Sequence, residues 1–90
     1  MTPPPATITI MHELPHRWRL NLSLGPDRPD VLIRRVRAHA GVHTIRYTPI
    51  TRSLVVSFDP EQVSRQEIMM RIAVALSEQR DLVPVYVLTE

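Results

Sequence analysis

The sequence predicts an α+β domain with the element order strand, helix, strand, strand, helix, strand, on three observations. Trp18, Leu20, Leu22 and Leu24 alternate with Arg17, Arg19, Asn21 and Ser23, the period of two that a half-buried strand requires. Two later stretches carry apolar residues at helical spacing, and two more return to alternation. Breakers at Gly25-Pro26, Gly41, Pro49-Ile50-Thr51-Arg52 and Asp59-Pro60 fall between these stretches.

Residues Thr7 to Met11 come first: Ile8 and Ile10 alternate with threonines, which suits a short strand or an edge extension. A polar loop with two histidines, His12-Glu13-Leu14-Pro15-His16, then leads into the strand Arg17 to Leu24, because Pro15 interrupts any continuous ladder. The first helix opens at Pro29, with Asp27 or Asp30 placed to serve its N-terminal amides. Leu32, Ile33, Val36 and Ala40 make its apolar stripe with His39 at the margin, while Arg34, Arg35 and Arg37 point outward. Gly41 is expected to end this helix in the C′ position.

Val42 to Thr48 alternates again and places His43, Ile45 and Tyr47 on one face. Past the Pro49–Arg52 turn, Ser53 to Phe58 returns as a strand with Leu54, Val56 and Phe58 toward the core. The second helix starts with a capping box, Ser64 and Glu67, and a hydrophobic staple, Val63 against Ile68. Its buried stripe is Ile68, Met69, Ile72, Ala75 and Leu76, with Met70 and Val74 off it. Val83 to Leu88 closes the chain as a strand that Pro84 directs to a sheet edge. This order suits a ferredoxin-like βαββαβ fold, an antiparallel sheet with both helices on one face. Its edges would be the second and fourth strands. The uncovered sheet face would carry Arg17, Arg19, Thr44, Arg46, Val55 and Ser57.

Ninety residues support one core, expected over residues 7–90 behind a flexible, proline-rich tail at residues 1–6. With no cysteine, disulfides, thiolate metal sites and cysteine nucleophiles are all excluded. No apolar run approaches the roughly 20 residues that span a bilayer, and Met1-Thr2-Pro3-Pro4-Pro5 does not resemble a signal peptide. A cytoplasmic protein is the expectation. All 11 basic side chains are arginine, and six of them lie between Arg28 and Arg52 against the single acid Asp30. That distribution is first of all what a solvated helix face and a composition bias toward arginine produce; the functional reading is an anionic partner, because guanidinium forks pair with phosphate and carboxylate.

His12-x-x-Pro15-x-Arg17-x-Arg19 opens the first main strand, and Gly41-Val42 follows the first helix. Pro49-x-Thr51-x-Ser53-Leu54 spans the hairpin, and Phe58-Asp59-Pro60 ends it. In this order and spacing the chain resembles the heavy-metal-associated domains. The match is to the divergent cysteine-less branch found near P-type cation ATPases and as stand-alone bacterial proteins. The resemblance runs from roughly His12 to Leu76. It implies a ferredoxin-like fold and a non-catalytic accessory or regulatory module in metal-ion homeostasis or transport. The implied partner is a P-type cation ATPase or another metal-handling protein, and the implied cofactor a transition-metal ion such as copper, zinc or iron. Two departures stand out. The CxxC pair of the metallochaperone branch is missing, and Arg52 occupies a turn position where the divergent branch usually has glycine.

The residues themselves suggest three chemistries. Met11, His12 and His16 lie close in sequence, and thioether plus imidazole suits a late transition metal. Two imidazoles do not fill a tetrahedral site, so His39, His43 or a second subunit would have to complete it. Arg17, Arg19 and Arg46 are candidates for holding nucleic acid or another polyanion on the open face. Met70, Val74, Tyr86 and Leu88 are candidates for a protein interface, either with a larger partner or in a homo-oligomer. An enzyme is not expected: no nucleophile stands beside a base, no carboxylates are paired, and two glycines cannot make a phosphate cradle.

Overall fold

The structure, a computed structural model, describes the backbone of residues 6–79 and 85–89 and the side chains of residues 7–79. It is an α+β fold of the ferredoxin-like type with its helices on one side of the sheet. The elements are β1 (Ala6–Leu14), β2 (Arg17–Leu22), α1 (Pro29–Arg37), β3 (Val42–Thr48), β4 (Ser53–Phe58), α2 (Arg65–Gln79) and β5 (Val85–Thr89). The sheet order is β3-β4-β2-β1-β5, so β3 and β5 are the edges, as expected for the strands after each helix.

The largest difference from the sequence reading lies at the start of the chain. The stretch expected as a short strand and a loop is one nine-residue strand, and it lies inside the sheet between β2 and β5. His12, Glu13 and Leu14 pair with Arg19, Trp18 and Arg17, leaving only Pro15 and His16 in the turn. A register shift between Ile10 and His12 places a bulge at Met11. That extra residue moves the alternation by one and hides the strand's continuation from a period-two reading. Ala6, expected in the tail, belongs to β1; residues 1–5 of that tail, with Val83 and Pro84, lie outside the described residues.

Because β1 occupies the slot beside β2, β5 pairs with β1 and does so in parallel. The sheet is therefore mixed rather than wholly antiparallel. All other pairings are antiparallel.

One face of the sheet is the core. Ile8, Ile10, Trp18, Leu20, Leu22, Leu54, Val56 and Phe58 are buried there against Leu32 and Val36 of α1 and the whole expected stripe of α2. Trp18 and Phe58 meet edge to face, with centroids 4.8 Å apart. The Arg65 guanidinium lies 5.8 Å from the Trp18 ring centre and pairs with Glu13 at 2.8 Å, closing that end of the core.

The helix boundaries follow their caps. Glu67 N donates to Ser64 Oγ at 3.1 Å, and the staple residues Val63 and Ile68 are both buried. The Glu67 carboxylate turns to His39 Nε2 at 3.3 Å, tying the start of α2 to the end of α1. At α1 the expected aspartate cap gives way to Arg28, which makes no side-chain cap bond. Gln79 of α2 takes the neighbouring role: its Oε1 accepts from Arg28 N and its Nε2 donates to Arg28 O. α1 also ends sooner than the glycine suggests, at Arg37 with Ala38 as C-cap, which leaves Ala40 exposed outside the helix. Gly41 serves the turn that follows, at φ +93°, where a Cβ would stand 2.9 Å from Val63 Cγ1. β2 stops at Leu22, two residues short of the expected end, leaving Leu24 half-buried beyond it. His43 is exposed rather than aligned with Ile45 and Tyr47, because a second register shift between Val42 and Thr44 falls on it.

Arg52 adopts φ +53°, the left-handed region that costs a side-chain-bearing residue about 1–2 kcal/mol. Three hydrogen bonds hold it there: its N–H to Pro49 O, its O from Leu22 N–H, and its Nη1 to Ser23 O at 2.6 Å. Replacing Arg52 by glycine relieves the backbone and loses the guanidinium bond; replacing it by alanine loses the bond and keeps the strain. Chemical denaturation should therefore find Arg52→Ala less stable than Arg52→Gly by about 1 kcal/mol.

Candidate functional site

The face opposite the helices is uncovered, and the register fixes what it displays. His12 pairs with Arg19, Arg19 with Val55, and Val55 with Arg46, so these four residues form one row across β1, β2, β4 and β3. On one side of it runs the row Leu14, Arg17, Ser57 and Thr44, and on the other Thr9, Asn21, Ser53 and Thr48. A shallow depression over β2, β4 and β3 is lined by Met11, Arg17, Arg19, Asn21, Arg46, Thr48, Thr51, Ser53 and Val55. A neighbouring hollow is formed by Met11, His12, Leu14, Arg17, Arg19 and Val55.

Arg17, Arg19 and Arg46 are exposed, and among the described residues none of their guanidinium groups makes an ion pair or a hydrogen bond to a side chain. Four other arginines are occupied: Arg35 pairs with Glu78 at 2.6 Å, Arg65 with Glu13, Arg34 with Asp30, and Arg52 with a backbone carbonyl, while Arg28, Arg37 and Arg71, off this face, make no ion pair among the described residues. No carboxylate lines either depression. Glu13 pairs in register with Trp18 of the core face and reaches Arg65 there. The open face thus concentrates unneutralised positive charge around an apolar centre, Val55, a surface suited to an anion.

The sequence foresaw Arg17, Arg19, Thr44, Arg46, Val55 and Ser57 on this face, and the pairing places them there. His12 and Leu14 were missed as members of it because β1 was expected to end at Met11. The signal that would have found them is the pair of flanking alternations, offset by one, that a bulge produces.

The other candidates separate. His12 sits on a strand beside two arginines, while His16 is in the turn and takes no part in the His12 hollow. His39 is engaged by Glu67 and its Nδ1 lies 2.9 Å from Ala40 O; His43 is at the bulge on β3. No group of three His, Asp or Glu side chains able to hold a metal occurs among the described residues. Met70 and Val74 are 56% and 49% exposed on α2. Tyr86 and Leu88 pair in register with Thr7 and Thr9 on edge strand β5, in the other layer, and their side chains lie outside the described ones. No helix among the described residues is long and apolar enough to cross a membrane.

No family model, curated protein or solved structure matches this chain.

A dication at His12 would stand among the guanidinium groups of Arg17 and Arg19, and like charge opposes it. Titration of copper, zinc and iron should therefore give equally weak binding to the wild type and to the His12→Ala/His16→Ala variant. Tight binding lost in that variant would restore the metal site.

Proposed function

We propose that this protein is a non-catalytic binding module whose open sheet face receives an anionic partner through Arg17, Arg19 and Arg46. One observation carries the reading: three exposed guanidinium groups share a face on which no carboxylate lines the depression, although the chain holds nearly as many acids as bases. On the helical side Arg34, Arg35 and Arg65 do pair with acids. Holding three positive charges together unneutralised is unfavourable in the free protein, and an anion relieves that repulsion. Guanidinium donors give such binding its strength and no catalytic group is required for it.

A second reading, a protein-contact module in metal-ion homeostasis or transport, rests on the resemblance to heavy-metal-associated domains. The exposed pair Met70 and Val74 favours its docking aspect, since both apolar side chains stand on the outer side of α2 with Arg71 between them. Transition-metal binding would be secondary to docking in this reading, and a cytoplasmic setting accords with it.

Retention on a polyanionic resin should fall steeply with salt, and Arg17→Ala/Arg19→Ala/Arg46→Ala should abolish it. Arg34→Ala/Arg37→Ala/Arg71→Ala removes the same charge from the helical layer and should retain most of the binding. Equal loss in both variants would reduce the effect to net charge. For the docking reading, light scattering across concentration should show self-association that Met70→Glu/Val74→Glu removes; a strict monomer counts against a homo-oligomer on α2.

A further inference from the structure

We infer that the anionic partner of the open face is a single-stranded nucleic acid, held by its phosphates with little regard to sequence. This rests on the anion-binding reading above and names the class of anion.

Spacing is the first argument. Arg17 and Arg19 are two residues apart on β2, about 7 Å at the backbone, and Arg19 and Arg46 are separated by one intervening strand, about 10 Å. A lone carboxylate presents one edge to one guanidinium fork. A chain with a charge on every nucleotide meets several forks at once, and the two-residue repeat of a strand is comparable with the pitch of an unstacked nucleic-acid backbone.

Shape is the second. The depression is open and floored by strands, and both helices lie on the other side of the sheet. A duplex is read by a helix or ribbon that projects into a groove, and this face projects none. Single strands lie across flat or shallow sheet surfaces. Asn21, Thr48, Thr51 and Ser53 line the same depression and offer hydroxyl and amide groups to sugars and base edges.

An acidic peptide fits less well. Added as a strand it would pair with the free edge of β3, where it meets Arg46, while Arg19 lies beyond β4. Laid across the face it would gain no ladder bonds. The arginines from β2 to β3 span three strands, and a partner must cross them too to engage every one.

Sequence tolerance follows from what the face lacks. Among its described side chains there is no aromatic ring: Trp18 and Phe58 are buried in the core, and Tyr47 packs against it. Base stacking on such rings, which supplies about 1–3 kcal/mol per base elsewhere, has no platform among those described side chains. Binding is electrostatic and weak. Three phosphate contacts on a single strand give a log–log salt slope of about −2 and roughly a twentyfold loss of affinity between about 50 and 200 mM salt.

The test is fluorescence anisotropy on the full chain with labelled oligothymidylate and oligouridylate of about 12 nucleotides. Unlabelled competitors are a duplex of equal length, polyglutamate and phosphatidylserine vesicles. The expected result is preference for the single strands, similar for both bases, with the slope above. Arg19→Ala should flatten that slope by about 0.7, the triple Arg17→Ala/Arg19→Ala/Arg46→Ala variant should not bind, and the triple lysine variant should bind within a few-fold of wild type. An unchanged melting curve in the alanine variant excludes unfolding as the cause. If duplex, polyglutamate or vesicles compete as well as the single strands with the same arginine dependence, the inference is overturned and the anion-binding reading stands. Vesicle binding that also needs Ile50, 95% exposed beside the face, would assign the anion to a lipid surface. If no polyanion binds, both readings fall.

Discussion

Everything in this domain hangs on the pairing of β2 along both of its edges. Antiparallel ladders to β1 and β4 lock six residues into a fixed register, and side chains in a strand alternate strictly. Trp18, Leu20 and Leu22 are therefore committed to the core, and Arg17, Arg19 and Asn21 to the open face, by one and the same constraint. A slip of a single residue would bury the arginines and expose the tryptophan, so burial of the apolar set also secures the cationic surface. Core and site are two faces of one strand.

Two local irregularities adapt the sheet around that strand. The bulge at Met11 lets β1 keep Ile8 and Ile10 in the core and then turn His12 and Leu14 to the open face, with Glu13 directed to Arg65. The left-handed Arg52 joins the β3–β4 turn to the end of β2 through Leu22 N–H and Ser23 O. Beneath them, interactions between the helices set their mutual position: Glu67 with His39, Arg35 with Glu78, and Gln79 with the backbone of Arg28. These join helix ends that are far apart in sequence, and none alters the open face.

Much of this was legible from residue order. The α2 stripe, its Ser64 cap and staple, β4, and the arginines of β2 all follow from patterns that depend on neighbouring residues alone. The extent of β1 was not legible, because a bulge resets the alternation without leaving a breaker in the sequence. Nor was the contact at the start of α1, since Gln79 arrives from 51 residues away to bond the backbone of Arg28. His43 and Ala40 were misplaced for related reasons: a bulge in one case, and in the other a helix that stopped before its glycine.

The sequence alone determined the apolar faces of β2, β4 and α2, because alternation and helical spacing are properties of the chain itself. Tertiary structure decided which of those elements lie side by side. Only the pairing of β1 with β2, of β2 with β4 and of β4 with β3 sets His12, Arg19, Val55 and Arg46 in one row, although the sequence spreads them over 44 positions. Charge on a single strand is local chemistry. An anion-sized arrangement of charge needs three strands at about 5 Å spacing, and strand order is fixed by long-range packing that no local pattern encodes.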